Sequence, residues 1–270
     1  MLHPVYFFKN NEAEFSQQHL LVQNGNSFCG FVLYNKNDRK VNTWVLYKIK
    51  TSLNEELLAE IMQQQEWLGN RFRSVQVVDY TQHNTLMPKH LLQSGYEYLP
   101  GNLMLGNLHN TVLLQDAAGE ALNLYHVPSS AYVGFNRLFE NAEWLHHESV
   151  VMKQTAAEDA IITVEVWFST VLIYAQQKGK WQVLQQKNYE TPEDVLYHIL
   201  NCKQQFQMGD EVKVVLQGMV EENSALYNLL HQYILNLELN NDLVFEYPYN
   251  TTDIPHHTKQ LIDRILTCVS

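Results

Sequence analysis

The sequence predicts an α/β protein made of two related halves. Three observations lead there: β-rich segments alternate with amphipathic ones, a meander, helix and returning strand occur in that order twice, and the two occurrences keep a near-constant offset. Trp44 and Trp181 stand 137 residues apart and Val75 and Val214 stand 139 apart, with helical segments of similar length between them. One such order is common, whereas repeated landmarks point to an internal duplication.

In the first half, HLLVQ (19–23) reads as a strand, NGNS (24–27) as a turn and FCGFVLYN (28–35) as a second strand. NKNDRK (35–40) turns the chain again, and VNTWVLYKI (41–49) closes a three-stranded antiparallel meander. Asn-Gly and Asn-Asp clusters between β-branched and aromatic runs are hairpin signals. TSLNEELLAEIMQQQEWLG (51–69) sets Leu57, Leu58, Ile61, Trp67 and Leu68 at helical spacing, stops at Gly69 and offers Ser52 or Asn54 as N-cap. RSVQVVDY (73–80) is the returning strand.

In the middle, EALNLYHVP (120–128) predicts a strand, SSAYVGFNRLFE (129–140) a helix, and AEWLHHESV (142–150) a strand leading into a helical segment. The second half then repeats the order. ITVEVWF (162–168), TVLIYAQQ (170–177) and WQVLQQKNY (181–189) form its meander, with Lys178-Gly179-Lys180 as a turn. Thr191 and Pro192 open a helix through residue 206, and EVKVVLQG (211–218) returns. A helix over 221–236 and a strand over 243–247 complete the prediction. The expected division is 1–120 and 121–270, with the strand and helix of 120–150 able to pack with either half.

Composition narrows the class. The 270 residues are 46% hydrophobic and only 17% charged, which fits a folded interior and excludes disorder. Eighteen Lys and Arg against 29 Asp and Glu give a net charge of −11, so a nucleic-acid or anionic-membrane surface is not expected. Pro4, Lys9, Glu12 and Glu14 interrupt the amino-terminal segment, which does not read as a signal peptide. The apolar stretch from Ile161 to Ala175 is shorter than the roughly 20 residues of a membrane span and contains Glu165. Cys29, Cys202 and Cys268 are far apart without CxxC spacing, which suits reduced thiols in a cytoplasm rather than disulfides or zinc.

A meander, helix and parallel strand, duplicated, is the core of ribonuclease H-like folds, and two such halves make the actin-like ATPase architecture. The segments NSFCGFVLYN, FRSVQVVDYTQHNTLMPKHLL, ALNLYHVPSSAYVGFNRLF, WLHHESVV, NYETPEDVLYHIL and QGMVEENSALYNLL, spread over about 19 to 236, resemble a Bacteroidetes family of unknown function, domain of unknown function 3822. The resemblance implies the actin-like fold and brings no established activity, substrate or partner.

That fold implies where nucleotide chemistry would sit. Actin-like ATPases hold ATP between their halves on two Gly/Ser-rich hairpin turns, each preceded by an acidic residue that helps position Mg²⁺. Here the first turn is Asn24-Gly25-Asn26-Ser27, preceded by Gln23 rather than Asp. The second lies near Val166, Trp167, Phe168 and Ser169 after Glu165, with no glycine between Phe135 and Lys178. Gly218, at the end of a strand before a helix, is the candidate for the adenine side. Each has a plainer reading: Glu165 as an edge or cleft-facing polar residue, and Gly218 as an ordinary strand-to-helix turn.

Two other chemistries fare worse. A two-metal nuclease needs carboxylates from the first strand, the helix and the returning strand, and each half lacks one. His146-His147-Glu148 and His256-His257 set neighbouring histidines side by side, and no HExxH or HxxxH pair occurs, so structural histidines are expected. The expectation is a non-enzymatic binding or assembly module with a degenerate nucleotide site, a protein partner and no cofactor. The alternative is a nucleotide-binding ATPase that uses ATP and Mg²⁺ through Asn24–Ser27 and Glu165.

Overall fold

The structure is a computed structural model that describes residues 2–10, 14–50, 53–89, 109–154 and 158–269. The chain forms two compact units. The first comprises Met1–Lys153 with Phe245–Thr251 and Cys268–Ser270, the second Gln154–Val244 with Thr252–Thr267.

The first unit is built on a six-stranded sheet whose spatial order is β1 (Pro4–Lys9), β4 (Lys40–Lys48), β3 (Phe28–Asn35), β2 (His19–Asn24), β5 (Ser74–Asp79) and β9 (Glu143–His146). β2, β3 and β4 are the expected antiparallel meander, and β5 returns parallel to β2 with Leu20 opposite Val75. Every residue of β2 is buried, as a strand covered on both faces requires. On one face, Leu20, Val22, Phe31 and Val45 pack with Leu58 and Ile61 of α1 (Glu55–Gln64) and Phe135 of α2 (Ser129–Leu138). Asn54 caps α1 by accepting the Leu57 N–H at 2.9 Å, and Glu55 and Glu56 lie in its first turn. Ser52, the other cap candidate, lies outside the described residues. A second, antiparallel sheet of the same unit orders β6 (Asn84–Pro88), β8 (Ala121–Pro128) and β7 (Thr111–Ala118).

The second unit has a five-stranded sheet in the order β12 (Lys180–Asn188), β11 (Thr170–Gln177), β10 (Ala160–Val166), β13 (Lys213–Gly218) and β14 (Leu237–Leu239). Its first four strands repeat the arrangement β4-β3-β2-β5, with β10 and β13 parallel and Ile162 opposite Val214. Ile162, Val164, Ile173 and Leu216 pack with Val195 and Ile199 of α4 (Pro192–Gln205) and Leu230 of α5 (Ala225–Tyr233). α4 opens at Thr191 and Pro192 as foreseen, and Asp194 completes a capping box there. α6 (His256–Val269) lies toward the other face, where its Arg264 sits 5.1 Å from the centre of the Tyr174 ring.

Several sequence expectations are corrected. The stretch 120–150, which the sequence left able to pack with either half, lies with the first unit, because β9 pairs with β5 and Phe135 fills the core under α1. The expected strand over 142–150 ends at His146, whose ring nitrogen accepts the Glu148 N–H and starts α3 (His147–Val151). The helix expected over 221–236 is confined to α5 by the Ser224 cap and gives way to β14. The strand expected over 243–247 is only a single bridge between Lys40 and Glu246. β1, β6, β7, β14 and α6 had no counterpart in the prediction. Among the described residues, no helix is long and apolar enough to cross a membrane.

Candidate functional site

Asn24 ends β2 and pairs across the hairpin with Cys29 and across the parallel ladder with Asp79. The turn that follows is tight. The Gly25 N–H donates to the Phe28 carbonyl at 3.0 Å, and the Ser27 carbonyl accepts the Ile49 N–H at 2.9 Å. A Cβ on Gly25 would stand 2.4 Å from the Phe28 ring, so glycine is required here by space. Asn26 is exposed and Ser27 half-buried. The recess bounded by this turn, Leu53, Thr81, Pro128 and Ala131 measures about 10 Å³, room for about one water molecule.

Gln23, standing where an Asp was sought, is fully buried and donates from Nε2 to the Tyr80 hydroxyl at 3.1 Å. The carboxylate beside this turn is instead Asp79, from the neighbouring strand. Asp79 accepts from Asn24 Nδ2 at 2.6 Å and from the Thr81 N–H at 2.8 Å. Burial nevertheless pushes its pKa up to about 7, because desolvation of the charge outweighs those two bonds.

Glu165 and Gly218 belong to the second unit, on adjacent strands β10 and β13. Glu165 is buried on an interior strand of its sheet. Its carboxyl accepts from Trp167 Nε1 at 2.7 Å, Gln217 Nε2 at 3.1 Å and the Tyr174 hydroxyl at 3.4 Å. Burial raises its pKa, against the opposing pull of Trp167, Arg264, Gln217 and Tyr174. Trp167 is itself fully buried, its N–H bonded to the Thr170 carbonyl at 2.8 Å and its carbonyl to the Tyr189 hydroxyl at 2.7 Å.

Gly218 has φ of 104°, and a Cβ there would stand 2.3 Å from the Val166 carbonyl oxygen. Its own carbonyl accepts from Thr258 Oγ1 at 2.9 Å, while the Val220 carbonyl takes His257 Nε2–H at 2.7 Å. The strand-to-helix turn is thus closed by the start of α6.

The sequence prediction missed a buried polar network in the first unit. His146 Nε2–H donates to the Thr81 carbonyl at 3.0 Å, so its Nδ1 is the acceptor for Asn123 Nδ2 at 2.8 Å. Burial holds this ring neutral, with its pKa lowered to about 4. Asp116 accepts from the His146 N–H at 2.5 Å and from the Ser149 hydroxyl, and Glu148 accepts from Asn84 Nδ2 at 2.7 Å. Burial raises Asp116 to about 6 and Glu148 to about 7. These side chains come from β6, β7, β8, β9 and α3, and only the His-His-Glu run was visible as a linear signal. The arrangement ties strands together, and among the described residues no group of three or more His, Cys, Asp or Glu is set to hold a metal ion.

A family model described as "Protein of unknown function (DUF3822)" matches residues 9–237. No curated protein matches the chain. Among solved structures, the chain is similar to a Bacteroides thetaiotaomicron protein with actin-like ATPase fold and unknown function, at TM-score 0.75 and 16% identity, covering 94% of this chain and 97% of that one. It is also similar to a chain of a PilM-PilN type IV pilus biogenesis complex, at TM-score 0.61 and 11% identity, covering 95% and 97%. The fold is therefore that of the actin-like ATPases.

Proposed function

Because the chain belongs to the DUF3822 family of proteins of unknown function, we propose that it is an actin-like binding or assembly module whose nucleotide site is degenerate. The observation that carries this reading is the state of Glu165. Magnesium in such a site needs oxygen ligands that keep their charge and can turn toward it. Glu165 spends its carboxyl on Trp167, Gln217 and Tyr174 inside the protein, in surroundings that favour the neutral acid.

The first turn supports the same reading. A triphosphate needs open space and free N–H groups, whereas Gly25 N–H is engaged with Phe28 and the recess holds about 10 Å³. Asp79, the carboxyl bonded to Asn24, is shifted by burial toward its neutral form. Asn24–Ser27, Glu165 and Gly218 are accordingly vestiges, with no step of ATP chemistry assigned to them.

The shared strand order of the two sheets supports a duplication of ribonuclease H-like halves. A protein partner is the expected ligand of such a module, and the net charge of −11 disfavours nucleic acid. The PilM-PilN complex contains a chain of this fold held with another protein, the kind of role proposed here. Three free cysteines, two of them buried, are in keeping with a cytoplasmic setting. Calorimetry and phosphate release with Mg-ATP test the reading. The expected result is no saturable heat and no phosphate above the blank, and binding near micromolar concentration with turnover would establish the ATPase instead.

A further inference from the structure

The second unit contains a cavity of about 390 Å³, separate from the turns described above. It lies on the sheet face opposite α4 and α5. Thr163, Tyr174, Gln176, Trp181 and Val215 form its floor, and α6 and the segment Asn240–Val244 wall it. Its size falls in the range of about 300–1,000 Å³ usual for small-molecule sites.

Most of its charges are matched internally. Lys213 pairs with Glu238 at 2.9 Å and Glu158 at 3.6 Å, and buried Asp263 accepts the Val244 N–H at 3.0 Å. Asn240 donates to Gln217 Oε1 at 3.0 Å. Two opposite charges remain toward the cavity. Arg264 donates from Nε to Gln154 Oε1 and lies over the Tyr174 ring, which fixes the guanidinium plane while its two terminal nitrogens meet no described acceptor. The Asp242 carboxylate accepts no hydrogen bond from a described residue, although its backbone carbonyl is held by Gln260 Nε2 at 2.6 Å.

We infer that this cavity binds a small organic zwitterion, a free amino acid or a short peptide. Its carboxylate pairs with the Arg264 fork, its ammonium meets Asp242, and its side chain lies on Trp181. A planar guanidinium held by a second bond and an aromatic face is already oriented for a bidentate carboxylate, so less freedom is lost on binding.

The test is calorimetry on the full chain with the natural amino acids singly and with a panel of dipeptides. At least one probe is expected to saturate with Kd of roughly 1 mM or tighter. Free amino acids and dipeptides serve as separate arms that identify the source. Arg264→Lys, which keeps charge but loses the fork, is expected to weaken binding about tenfold or more. Asp242→Asn, at an exposed position, is expected to weaken the zwitterion but not its N-acetyl derivative. No saturation by any probe overturns the inference, as does unchanged affinity in Asp242→Asn, which remains decisive if Arg264→Lys fails to fold. Neither outcome bears on the nucleotide turns.

Discussion

Asp79, Asp116 and Glu148 hold protons in the fold that they would release in the unfolded chain, where carboxyls titrate near 4. A raised folded constant means stability is full below the unfolded value and is lost as pH rises through the folded one. His146 and His19 act in the opposite sense, and their unfolded rings lose most of their protons only by about pH 7. Between about pH 7 and 8, Asp79 and Glu148 therefore set the slope. Unfolding free energies from urea titration are expected to fall across that window by roughly 0.3 kcal/mol for each group, and Asp79→Asn to flatten the profile. A midpoint that rises with pH there would contradict these protonation states. Glycines offer a second prediction at this scale. Gly218→Ala should cost about 2 kcal/mol or more in denaturant, since φ is positive and the Val166 carbonyl blocks a Cβ. Gly69→Ala, with nothing within 4 Å, should be close to neutral.

At the scale of elements, α4 was readable because its signals are local: Thr191 as cap, Pro192 in the first turn and a buried stripe of Val195, Leu196 and Ile199. Thr191→Ala should lower the stability of the second unit by about 1 kcal/mol, measured by chemical denaturation. β2, β3, β11 and β12 were equally plain, since an Asn-Gly turn separates the first pair and a Lys-Gly turn the second. β7 was missed because its residues are mostly half-buried and its partner β8 follows through a turn lacking such a run of signals. The change from strand to helix at His146 was missed for a different reason. It depends on a ring nitrogen whose partner, Asn123, lies on another strand.

At the scale of the whole molecule, the last segment of sequence matters more than its position suggests. Phe245–Thr251 joins the first unit and Thr252–Thr267 the second, so the chain serves both before it ends. Leu261, Ile262, Ile265 and Leu266 are each no more than 1% exposed. At about 1.5–3 kcal/mol for each buried side chain, removing α6 would forfeit an amount comparable to the about 5–15 kcal/mol that stabilises a typical protein. A chain truncated before His256 is expected to lose its cooperative unfolding transition by circular dichroism, and an intact transition would show that α6 is dispensable.

The sequence by itself determined the two α/β units, their repeated strand order, the position of the first turn and the departures of Gln23 and Trp167 from the ATPase pattern. Those depend on periodicity and turn chemistry, which are written within a few residues of one another. Only the tertiary structure decided that Glu165 is consumed by Trp167, Gln217 and Tyr174, that Asp79 rather than residue 23 brings a carboxyl to the first turn, and that Arg264 and Asp242 line one cavity. The charge and reach of each of these groups are set by partners up to about a hundred residues away, through desolvation and hydrogen bonding that no local pattern encodes.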